Sequence, residues 1–78
     1  PPTRRADLFL ERGECLLRLG QWSMAADDLT RALEFDARSQ QALWGRAAAF
    51  RALGRTEEAE GDLREAGQPR ATEPEATP

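Results

Sequence analysis

The side chains that could carry chemistry in this chain are few, and the missing ones decide most. There is no His and only one Cys, Cys15. An intrachain disulfide, a cysteine-built zinc site and a His-based catalytic pair are therefore all excluded. Cys15 is expected to be a buried free thiol acting as a small hydrophobe. Carboxylates are plentiful, and Glu57, Glu58, Glu60, Asp62 and Glu65 fall in one short run. None stands in an apolar surround that would separate two pKa values into an acid and a base. The run is expected to be a solvated helix face, with Glu60 paired to Arg64. Every cationic residue is Arg and none is Lys, and the net charge of -3 supplies no basic field for nucleic acid or anionic lipid. No enzyme activity, catalytic residue, metal or cofactor is expected, and neither nucleic acid nor membrane is expected as a partner.

The elements that must position these groups follow from composition. Val, Ile and Tyr are absent, while Ala and Leu dominate the apolar set. Strands draw on β-branched and aromatic residues, whereas Ala, Leu, Arg, Glu and Gln lose little entropy in a helix. The expected class is all-α. No apolar run approaches a membrane span and no signal-peptide pattern opens the chain, so an intracellular, cytoplasmic location is expected. Because the sequence opens with Pro1 rather than Met, it is expected to be part of something longer.

Periodicity and punctuation predict four helices. Residues 1–5 read as a frayed lead-in, with Thr3 or Asp7 available as a cap. A first helix covers about Asp7 to Leu19 and stops at Gly20, which can take a left-handed conformation at no steric cost. A second runs from about Ser23, its expected N-cap, to Phe35, with Asp27 four residues before Arg31 as a supporting pair. Ser39 caps a third helix from Gln40 to Leu53, ended by Gly54. Thr56 caps a fourth, whose first turn holds Glu57 and Glu58. Residues 68–78, rich in Pro and without large apolar groups, are expected to be disordered.

A shift of 34 residues superimposes the sequence on itself. Arg12 falls on Arg46, Leu19 on Leu53, Gly20 on Gly54, Ala25 on Ala59, Asp28 on Asp62, Leu29 on Leu63 and Ala32 on Ala66. Conservative pairs join them: Phe9 with Leu43, Gly13 with Ala47, Leu16 with Phe50. A fixed period of this length marks helical units that cannot bury an apolar face alone and must stack. Units span residues 6–39 and 40–67.

These residues resemble the tetratricopeptide repeat (TPR), a 34-residue helix-turn-helix unit. Gly13 and Ala47 stand at its small position in the first helix, and Leu16 and Phe50 at the bulky position that follows. Gly20 and Gly54 match its turn glycine, Ala25 and Ala59 the alanine of its second helix, and Ala32 and Ala66 the later alanine. The proline that usually closes the second helix is replaced by Ala37 and Ala71. The resemblance implies two antiparallel helix-turn-helix units stacked as a short right-handed α-solenoid, with a concave groove lined by the first helix of each unit. In that register Asp7, Leu10, Glu14 and Leu17 face the groove from the first unit, and Gln41, Trp44, Ala48 and Arg51 from the second.

Glu11-Arg12-Gly13 and Gly45-Arg46-Ala47 are similar to the co-chaperone subgroup, which grips acidic chaperone tails through Lys and Asn. Leu10, Glu14 and Gly45 stand where that clamp would need them, with Asp7 and Gln41 at later clamp positions, so a carboxylate clamp is not expected. The resemblance implies a protein–protein interaction module, a scaffold or adaptor segment that binds a peptide or partner helix. Trp44 and Arg51 would anchor an apolar or acidic peptide, since Trp and Arg are enriched at binding hot spots. Two alternatives are an architectural or self-associating segment with no ligand of its own, and a regulatory or substrate-delivery module for an enzyme. With only two units and no further capping helix, the outer face around Leu53 and Leu63 is expected to be partly bare.

Overall fold

A computed structural model describes residues 2–67, which form four α-helices and no strand: α1 (Pro2–Arg18), α2 (Trp22–Phe35), α3 (Gln40–Ala52) and α4 (Thr56–Glu65). The all-α class is as expected. The segment 68–78, read as a disordered tail, lies outside the described residues.

The helix starts differ from expectation in three places. α1 begins at Pro2, so the anticipated lead-in is already helical and Asp7 lies inside the helix rather than at its cap. A proline in the first turn costs little, because its missing N–H would have had no intrahelical partner. α2 begins at Trp22, with Gln21 and not Ser23 in the cap position and no side-chain cap bond. α4 begins at Thr56, preceded by Arg55, again without a side-chain cap bond. The reason is the way the preceding helix ends. Gly20 takes φ 75° and Gly54 φ 81°. The Gln21 N–H then returns to the Leu16 carbonyl at 2.9 Å, and the Arg55 N–H to that of Phe50 at 2.7 Å. This paired closure satisfies the last carbonyls and aims the chain directly into the next helix, leaving no room for a separate cap. The third start is as expected: the Ser39 hydroxyl accepts the Ala42 N–H at 3.1 Å.

Each helix packs on the next one in sequence, and α1 also touches α3, whereas α2 and α4 do not pack on each other. α1 and α3 thus lie side by side, with α2 wedged against both. The wedge is held by one fully buried side chain, Leu29. A Cβ built on Gly13 would lie 2.8 Å from Leu29, and one on Gly45 would lie 3.0 Å from it. Leu29 therefore fills the space that two glycines leave open, one on α1 and one on α3. Around it Ala32 and Ala42 are buried, with Leu10, Leu17 and Leu33 packed alongside. A second cluster joins Ala25 and Ala26 to Ala47, Ala49, Phe50 and Ala59. Small residues bring the helix axes close, and a few bulky ones fill the remaining gaps.

Candidate functional site

Two arginine–aspartate pairs repeat with the sequence period. Arg12 on α1 donates through Nε and Nη2 to both carboxylate oxygens of Asp28 on α2, at 2.7 and 3.0 Å. Thirty-four residues on, Arg46 on α3 grips Asp62 on α4 in the same fork, at 2.9 and 2.7 Å. Both aspartates are buried. Burial of a carboxylate is tolerated when a guanidinium meets it bidentately. In each pair the hydrogen bond to the carboxylate raises the pKa of the arginine, which stays charged. Each pair ties the two helices of its own unit together, so these residues are structural pins. Arg12 with Arg46 and Asp28 with Asp62 stand in the 34-residue repeat as matched positions, with no pairing between them expected from the sequence. The signal was there, since both pairs are separated by 16 residues.

The two pins differ in one bond. Arg46 also donates through Nη1 to the Thr30 hydroxyl at 3.1 Å, which links the second unit to the first. Arg12 has no counterpart of that bond among the described residues. Its side chain is 68% exposed, against 21% for Arg46. The Arg12 and Arg31 guanidiniums lie over the Phe9 ring at 5.9 and 5.5 Å, and Phe9 stacks on Phe35 with centroids 6.1 Å apart.

The residues that the resemblance assigned to a groove lie on α1 and α3, the two helices that run side by side. Gln41, Trp44, Ala48 and Arg51 are all exposed, and Arg51 forms no ion pair among the described residues. Glu14 is half-buried. Leu10 and Leu17 are half-buried because they pack on the Leu29 cluster, so they form the floor of this face rather than free anchors. Trp44, at 36% exposure, is the large apolar side chain that remains available there.

Cys15 corrects an expectation. It is exposed, and its sulfur accepts a hydrogen bond from Arg18 Nη2 at 3.5 Å. Its counterpart Ala49 is fully buried because α2 covers it, and no helix among the described residues covers Cys15. The Asp27–Arg31 and Glu60–Arg64 pairs do not form. Arg31 meets Glu34 at 3.6 Å instead, and the remaining exposed pair joins Arg55 to Glu58 at 2.7 Å. Leu53 is 39% exposed and Leu63 half-buried, so the second unit is partly bare as anticipated.

Among the described residues no cluster of His, Cys, Asp and Glu could hold a metal ion, and no helix is long and apolar enough to cross a membrane. Comparison with protein-family models, curated proteins and solved structures finds no match.

Proposed function

We propose that this chain is a protein–protein interaction module of two tetratricopeptide-like units, which holds a peptide or partner helix against the shared face of α1 and α3. The observation that carries this reading is Trp44, an indole left 36% exposed in the middle of α3 with Arg51 two turns on in the same helix. Trp and Arg are both enriched among the few residues that dominate binding energy at interfaces, and Arg51 forms no ion pair among the described residues. The helix arrangement supports it. α1 packs on α3 while α2 and α4 do not pack on each other, which is the contact pattern of a stack with α1 and α3 on its inner side. The inner side of such a stack favours an extended ligand. Arg51 would meet a carboxylate of the ligand, and Trp44 an apolar side chain.

Selection of peptides from a displayed random library against the full chain tests the reading. Peptides enriched on the parent should lose about tenfold or more in affinity on Trp44→Ala and on Arg51→Ala, a hot-spot-sized effect. Both positions are exposed, so the variants should remain folded by circular dichroism. If folded variants keep full affinity for every selected peptide, the assignment of this face is wrong.

A further inference from the structure

The two units present the same four helix positions twice, once covered and once open. On α3 the positions Ala42, Gly45, Arg46 and Ala49 lie under α2: Ala42 and Ala49 are fully buried, Leu29 sits against Gly45, and Arg46 bonds Thr30. The 34-residue shift places Leu8, Glu11, Arg12 and Cys15 at these positions on α1. There Leu8 is 60% exposed and Cys15 is open. The same four residues, with Arg5 and Phe9, line a depression of about 660 Å³. The α2–α3 contact is therefore the template for an occupant of this surface, a helix lying as α2 lies on α3.

We propose that the Leu8–Cys15 face of α1 is a second binding site, which seats an amphipathic helix of a partner polypeptide. The occupant's chemistry follows from the differences between the two copies. Leu8 replaces Ala42 and Glu11 replaces Gly45, so the incoming helix must carry alanine where α2 carries Leu29. Arg12 spends Nε and Nη2 on Asp28, as Arg46 does on Asp62, and its Nη1 is left for a serine or threonine at the place of Thr30.

A second copy of this chain is a poor occupant. The α2 face that meets α3 has Leu29 at its centre, with Ala26, Thr30 and Leu33 around it. The same shift puts half-buried Leu63 at the centre in the second unit, where the α1 face asks for alanine, and Glu60, Arg64 and Gly67 around it. The last three are exposed. Stacked head to tail, Arg64 would face Arg12, two like charges where the template has a hydrogen bond. Gly67 would leave a gap where Leu33 fills one. The α4 face thus lacks both the alanine and the hydroxyl that the α1 face asks for.

The test uses the full 78-residue chain and a stapled helical peptide with the sequence of Trp22–Phe35 carrying Leu29→Ala. The staple removes the nucleation cost that would mask binding by a short free helix. Fluorescence anisotropy should show saturable binding, and bound peptide should slow the reaction of Cys15 with a thiol reagent. Leu8→Glu should weaken binding by about tenfold or more, because a carboxylate would stand in the apolar seat. A peptide that also carries Thr30→Val should bind several-fold less well, while Trp44→Ala in the protein should change nothing. The proposal is overturned if Cys15 reacts at an unchanged rate up to about 1 mM peptide, a concentration that would reveal even very weak sites. It is also overturned if Trp44→Ala abolishes binding while Leu8→Glu does not. Protection of Cys15 without peptide, rising with protein concentration alongside dimer formation, would assign the face to a second copy instead.

Discussion

At the scale of single residues, the two Arg–Asp forks set the strongest constraints. Arg46 is mostly buried and Asp62 almost wholly so, at 21% and 6% side-chain exposure. Arg46→Met would leave that carboxylate uncompensated and would also break the bond to Thr30. A cost of roughly 2–3 kcal/mol is expected by urea denaturation, toward the lower side for a broken buried pair because Arg46 keeps some solvent. Arg12→Met should cost less, since its guanidinium is largely solvated and makes no bond to another unit. Leu29→Ala should cost about 2–5 kcal/mol, the range for emptying a fully buried leucine site. In a domain this small that is enough to leave much of the chain unfolded at 25 °C. Gly13→Ala is the more discriminating change. Helix propensity alone would favour it by about 1 kcal/mol. The new Cβ would lie 2.8 Å from Leu29, which α3 holds in place through Gly45. A net loss of stability is expected, even though Ala47 occupies the same position in the second unit. There the matching residue is Leu63, which is half-buried and has no helix packed on its far side among the described residues.

At the scale of elements, helix ends reveal what the sequence could and could not say. The stops were legible because Gly20 and Gly54 each meet a local steric demand that no other residue meets cheaply. The cap of α3 was legible for the same reason, and Ser39→Ala should cost about 1 kcal/mol in thermal or chemical unfolding. The starts of α2 and α4 were not legible, because what fixes them is the six-residue closure of the preceding helix rather than a side chain of their own. Cys15 misled for a different reason. Its repeat partner is buried, but burial depends on a covering helix, which a 34-residue period cannot guarantee for its first copy. The Arg–Asp forks stood in the repeat as matched positions. Their pairing needed the angle between helices to be seen.

The start of α4 also carries a pH signature. Arg55 donates to both oxygens of Glu58, at 2.7 and 2.8 Å, and holds that carboxyl below its ordinary pKa. A carboxyl lowered on folding contributes stability above its unfolded value, near 4.5, and loses it as pH falls through the folded one. The parent's melting temperature should therefore fall more steeply below about pH 4.5 than that of Glu58→Gln, which lacks the titration. Coincident curves for the two proteins would show that the pair adds nothing.

At the scale of the whole molecule, the proposed function is binding, and the sequence holds no histidine and a single thiol. The two surfaces proposed for it are the α1–α3 face with Trp44 and Arg51, and the end face of α1 around Leu8 and Cys15. The all-α architecture could be read from composition and period. The end face could not, because the sequence shows both copies of a surface without showing which one is covered. The central claim is that the α1–α3 face binds a peptide, and amide chemical-shift mapping on the isotope-labelled full chain tests it most directly. Titration with a selected peptide should move the amides of Gln41, Trp44, Ala48 and Arg51, together with the Trp44 indole N–H, and leave Thr56–Glu65 still. Shifts confined to α2 and α4, with the Trp44 indole unmoved at saturation, would contradict it.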